Sequence, residues 1–154
     1  MGECNNIELW YELNQLAVRY WADVNRNGGQ RAHEFYTEDG LFQVGDTRHS
    51  GRKTIQEFYG WRATRGARLS RHLLSNTVAE PGSTSDNAVL RGSVSLFAAD
   101  GEPVLEAKPP TMIADFEAVC VRDSDHIWRF KSHVLTPLFR GEGRLNTAKR
   151  EQRH

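Results

Sequence analysis

Cysteine is nearly absent from this chain. Cys4 and Cys120 are the only two among 154 residues, one in a polar leader and the other in an apolar run. Two such residues do not build a disulfide framework, so the expectation is free thiols in a reducing, cytoplasmic setting. An excess of either charge is missing too, since 20 Lys plus Arg balance 20 Asp plus Glu. A general nucleic-acid or membrane-surface binder would show a basic excess, so neither kind of partner is expected. No stretch approaches the roughly 18 apolar residues of a membrane span. The opening MGECNNIELW lacks a basic segment followed by an apolar one, which argues against a secretory signal. It also carries Asn6 where a myristoylation pattern needs Ser or Thr.

Motifs with built-in chemistry are equally thin. The six histidines (His33, His49, His72, His126, His133 and His154) show no HExxH, no paired spacing and no Cys companion. No metal site is expected from them. Gly-rich phosphate loops and nucleophile elbows are lacking, and no cofactor is expected. No internal repeat or low-complexity linker divides the chain, whose length suits one domain around one core.

What is present is a change of period. Ile7, Trp10, Leu13, Ala17, Tyr20 and Val24 recur at steps of three and four, which predicts a helix over about 6–24. NRNGG ends it, because Gly28 and Gly29 favour chain reversal. QRAHEFY reads as a short second helix, closed by TEDG, and LFQV as a short strand. SGRKTIQEFYGWRATRG reads as a third helix, with Ile55, Phe58, Tyr59 and Arg62 at helical spacing. From there the period falls to two. SRHLLSNTVAE, NAVLRGSVSLFAA, PTMIADFEAVCVR and HIWRFKSHVLTPLF read as strands, and the DG of DGEP as a hairpin signal. Helices followed by consecutive antiparallel strands predict an α+β domain over 1–140, its helices covering one face of a curved sheet. Residues 141–154 read as a polar, mobile tail. A sheet folded over helices forms a cone with an apolar interior, the default place for a ligand.

Four segments in this order, FYTEDGLFQVG, GRKTIQEFY, SRHLLSN and WRFKSHVLTPLF, resemble the SnoaL-like branch of the nuclear transport factor two-like superfamily, over roughly residues 6–139. The resemblance implies a cone-shaped α+β barrel, with three N-terminal helices on a strongly curved mixed, mostly antiparallel sheet. Relatives of this shape include scytalone dehydratase, bile-acid dehydratase, hexachlorocyclohexane dehydrochlorinase, polyketide cyclases and steroid-type isomerases. Others bind ligands without chemistry, so fold alone does not assign a reaction. It also implies association through the open face of the sheet, as a homodimer or homotrimer.

Carried over position by position, the resemblance makes His72 the pocket histidine, a side chain suited to proton transfer near neutrality. Alternation along the strand places Asn76 on the same face. The position where relatives hold an aspartate falls on Asn25 rather than Asp23. Periodicity leaves both open, because each lies about 100° from the centre of the apolar stripe, on opposite sides. An amide can orient an imidazole but cannot raise its pKa as a carboxylate does. In the serine-protease triad, asparagine for the aspartate behind the base costs about 10⁴ in rate, or about 5.5 kcal/mol. Tyr20, on the inward stripe, is the candidate to bind a carbonyl oxygen. His133 falls near a pocket arginine of some relatives, Trp21 and Tyr59 suit a hydrophobic substrate, and Asp115 reads as a solvated position. The leading expectation is a cofactor-independent lyase or isomerase, dehydratase-like, acting on a small hydrophobic cyclic or polyketide-like molecule. The alternative is a non-catalytic small-molecule binding protein, favoured by Asn25 in place of an acid. An Asp–Arg–Asp set for water activation is not assembled.

Overall fold

The computed structural model describes residues 3–141; the tail beyond Gly141 and the side chain of Cys4 lie outside the described residues. Helix α1 spans Glu3–Asn27 and is followed by a 3-10 turn, Ala32–Phe35. A hairpin of β1 (Tyr36–Val44) and β2 (Thr47–Ser50) leads to α2 (Arg52–Ala63). Four long strands complete the fold: β3 (Arg68–Pro81), β4 (Asn87–Asp100), β5 (Met112–Arg122) and β6 (Trp128–Arg140). They form one sheet in the order β2-β1-β6-β5-β4-β3. The β1–β6 pair is parallel and every other pair antiparallel, so the sheet is mixed and mostly antiparallel.

Two α-helices, not three, precede the long strands. QRAHEFY makes only a four-residue 3-10 turn, because Tyr36 is already extended and paired with Phe130 of β6. Strand pairing thus overrides a helical pattern too short to sustain itself. The same pairing carries TEDG into β1, with the register shifting between Tyr36 and Leu41. Gly40 sits in that irregularity, where a Cβ would lie 2.9 Å from the Thr37 carbonyl oxygen. Strand β2 lies where no strand is predicted; its signal is the two-residue Gly45-Asp46 turn, with Gly45 at φ 57°. DGEP is not a tight hairpin: the β4–β5 ladder ends at Leu96↔Met112, and residues 97–100 pair with β3 alone.

The apolar side of α1 also differs from the expected stripe. Leu13, Leu16, Ala17, Tyr20, Trp21 and Val24 are buried, whereas Ile7 is 69% exposed and Trp10 39%. Trp10 instead lies against β3, its indole donating to Thr77 Oγ1 at 2.8 Å. Thr77 in turn donates to Asn14 Oδ1 at 3.2 Å. Thr77 faces the helix because β3 carries an irregularity between Ser75 and Val78, with Asn76 at φ 56°. One inserted residue exchanges the faces of a strand, and Asn76 is left exposed. On β5, Met112, Ala114, Phe116 and Ala118 point inward as their alternation predicts, and Asp115 is exposed and accepts from Ser93. The interior between helices and sheet is packed with edge-to-face rings around Tyr20, which meets Trp21, Tyr36, Tyr59 and Phe130.

Candidate functional site

The last turns of α1 and the first half of β3 meet at Asn25 and His72. Asn25 Oδ1 accepts the His72 backbone N–H at 3.0 Å and lies 2.8 Å from His72 Nδ1. The Asn25 carbonyl accepts from Arg71 at 3.3 Å, which fixes the helix end against the strand. Asp23 turns the other way. Its carboxylate accepts from Asn27 Nδ2 at 2.8 Å and from the Arg31 backbone N–H at 3.0 Å, tying the chain reversal together. It faces an outer groove, away from His72.

This geometry determines the histidine tautomer. A backbone N–H only donates, so the Asn25 atom facing it is the amide oxygen and not the nitrogen. His72 Nδ1 contacts that same oxygen and therefore carries a proton. In the neutral imidazole the lone pair then resides on Nε2. Burial, then the nearby Arg62 and Arg68 charges, and then His133, hold the His72 pKa well below the usual histidine value. The ring is stacked on Trp21, with centroids 4.0 Å apart and planes 12° from parallel.

His72 lines a cavity of about 40 Å³ with Trp21, Tyr59, Arg62, Arg68 and the apolar side chains of Phe42, Leu96, Met112 and Leu135 among others. That volume holds a water or a few heavy atoms, well below the roughly 300 Å³ of a pocket for a drug-sized ligand. Tyr20 and His133 are fully buried behind it and do not line it, and neither does Asn76. The Tyr20 and Tyr59 hydroxyls hydrogen-bond each other. The Tyr36 hydroxyl lies 3.0 Å from His133 Nδ1, while His133 Nε2 has no partner among the described residues. Burial raises the pKa of all three tyrosines, Tyr59 to about 12, and lowers that of His133 to about 3. These groups stay neutral at physiological pH.

The structure therefore brings together His72, Asn25, Trp21 and Tyr59, keeps Tyr20 behind Tyr59, and separates Asp23, Asn76 and His133 from the cavity. Sequence reasoning missed Arg62 and Arg68 as lining residues. Arg62 had a signal, since it is a cation standing in the otherwise apolar stripe of Ile55, Phe58 and Tyr59. Arg68 had none. Among the described residues no group of three or more His, Cys, Asp or Glu is gathered as a metal site.

The fold recurs in solved structures. A candidate scytalone dehydratase from Novosphingobium aromaticivorans matches with TM-score 0.76 and 16% identity, over 100% of this chain and 99% of that one. ActVI-ORFA from Streptomyces coelicolor matches with TM-score 0.73 and 15% identity, over 84% and 97% of the two chains. An NTF2-like protein with a cystatin-like fold from N. aromaticivorans matches with TM-score 0.67 and 17% identity, over 88% and 86%. At such identities these likenesses establish the fold alone. No curated protein matches the sequence. The SnoaL-like domain family matches residues 6–134, which takes in nearly all of both helices and the sheet through about half of β6. A match over that much of the chain shows that it belongs to the SnoaL-like domain family.

Proposed function

We propose that this protein is a cofactor-independent lyase or isomerase, dehydratase-like, with His72 as its base. One observation carries the reading: Asn25 Oδ1 engages both the backbone N–H and Nδ1–H of His72, which leaves Nε2 as the basic nitrogen of a cavity-lining ring. In the proposed step the C–H bond next to a carbonyl breaks, its proton passes to Nε2, and the electron pair is delocalised onto the carbonyl oxygen as an enolate. Return of the proton to another carbon completes an isomerisation; expulsion of a β-hydroxyl, which takes up the proton as water, completes a dehydration. Tyr59 is the hydroxyl that borders the cavity, and Tyr20 supports it from behind through their shared hydrogen bond. A phenol kept neutral by burial is suited to stabilise the developing oxyanion.

A base with a depressed pKa removes only an acidic proton efficiently. The substrate best served is therefore a compound whose C–H is activated by its carbonyl, and the apolar walls suit a hydrophobic or ring-bearing remainder. The test is turnover of a confirmed substrate by His72→Ala. A fall of about 10² or more is expected for loss of a general base, and unchanged turnover sinks the mechanism.

The second reading is a binding protein that holds a small molecule without converting it. The amide partner of His72 and the 40 Å³ cavity favour it. Native mass spectrometry after exposure to a lysate separates the two: a ligand recovered unchanged supports binding, and a product mixture supports catalysis. Self-association as a homodimer or homotrimer and a cytoplasmic setting belong to the same proposal. Cys120 is unpaired and buried, as a reducing setting allows. The pairing registers put Leu73, Val78, Phe97 and Phe139 on the outer sheet face, each at least 38% exposed, which supports association there.

A further inference from the structure

The cavity beside His72 has an unusual polar lining. Arg62, from the last turn of α2, and Arg68, from the start of β3, both border it, and among the described residues no carboxylate does. Arg62 Nη2 is 3.5 Å from Ser70 Oγ, the outer limit of a hydrogen bond. Arg68 is paired at 3.4 Å with Asp100, whose own side chain is 64% exposed and hence well solvated. Trp21 lines the same space, and its buried indole N–H has no hydrogen-bond partner among the described residues. Apart from Tyr59, which can donate or accept, the polar side chains of the lining are donors, with His72 Nε2 the acceptor. A lining of donors is matched by a ligand that brings acceptors, and charged donors are matched best by a charged one.

We infer that the ligand of this cavity carries a carboxylate, seated on Arg62 and Arg68, with its reactive carbon toward His72. The inference deepens the proposed function and rests on its placement of the reaction centre in this cavity. A planar carboxylate matches the guanidinium fork and needs only a few heavy atoms of space. A phosphate dianion fits less well, because Arg62 stands at the C-terminal end of α2, where the helix dipole disfavours further negative charge. The arginines would also offset charge that develops on an enolate, the help that Asn25 cannot give through His72.

Calorimetric titration of the whole chain with crotonate, crotonamide and inorganic phosphate tests the assignment. Crotonate should bind about tenfold or more tighter than its isosteric amide, the scale of one charge-assisted hydrogen bond. Arg62→Gln should abolish that preference, and Arg62→Lys, which keeps the charge but loses the fork, should restore part of it. Equal affinity for acid and amide overturns the inference. So does the absence of saturable crotonate binding, a tighter grip on phosphate, or a preference that survives Arg62→Gln. If Arg62→Gln does not fold, the acid-against-amide comparison on the unaltered protein decides alone. Failure of the base mechanism is distinguishable: a His72→Ala variant with full turnover removes His72 from catalysis, yet its crotonate preference still reports the anion site.

Discussion

Asn25 shows how much one amide oxygen can decide. It satisfies a backbone donor of β3 and sets which nitrogen of His72 is basic, while adding no charge. Asn25→Asp keeps both hydrogen bonds and supplies the missing charge, so the imidazolium is stabilised and the His72 pKa rises. Histidine NMR titration should show that rise, and the acid limb of any pH–rate profile should move with it; an unmoved titration would show that the pair is not coupled. Asn25→Leu leaves a backbone N–H and Nδ1–H unpaired and should cost about 1–3 kcal/mol in denaturant unfolding. The family resemblance put Asn25 rather than Asp23 at the aspartate position, but helical periodicity left the two equivalent and both stayed open. What separates them is local and lies outside the periodic pattern. Asp23 is claimed by Asn27 and by the Arg31 backbone where the helix ends, and only the folded turn brings that N–H within reach. The depth of Tyr20 was likewise illegible, because a stripe says which residues face inward and not how far the cavity reaches.

At the scale of elements, the cavity depends on the turn after α1. Gly29 has φ 75°, and a Cβ there would meet the Tyr59 ring at 2.3 Å. Gly29→Ala should therefore destabilise by more than about 1 kcal/mol, from backbone strain and ring displacement together. Thermal or denaturant melts check this, and the same variant should disturb ligand binding through Tyr59. Leu13→Ala, in the fully buried part of α1, should cost about 2–5 kcal/mol. Long periodic segments such as α1 and β5 were legible because burial imposes their period. The 3-10 turn and the β3 irregularity were not, since each is set by a partner distant in sequence: Phe130 for Tyr36, and α1 for Thr77; β2 pairs with its neighbour β1, and its one signal was the short Gly45-Asp46 turn. The inversion after Ser75 is why Asn76, on the right face by simple alternation, ends outside the site.

For the whole molecule, the buried imidazole of His133 and the part-buried one of His72 set a response to acid. His133 is held at about 3 and His72 also well below its usual value, so the unfolded chain takes up these protons first as pH falls. The stability of neutral burial is complete above about pH 6.5, the unfolded histidine value, and is lost as pH falls from there toward the folded values. Each group should contribute a slope of up to about 1.4 kcal/mol per pH unit in that window. Guanidinium unfolding at pH 7.5 and 4.5 measures it, and His133→Phe should flatten the dependence; identical slopes in the two proteins would show that His133 does not drive it.

The position of β6 has a consequence for how the chain assembles. This last strand lies between β1 and β5, and its Leu135 closes the cavity wall. Residues 36 and 130 must therefore find each other across more than half of the sequence before the β1–β2 hairpin has a sheet to join. Closing so long a loop is entropically costly and places this step late. Without β6, the β3–β4–β5 meander can form alone, but His72, Asn25 and the two arginines have no finished cavity around them. The cavity is thus completed only by the last strand, and a chain cut short before Trp128 would carry every lining residue but Leu135 and still lack the wall that closes it.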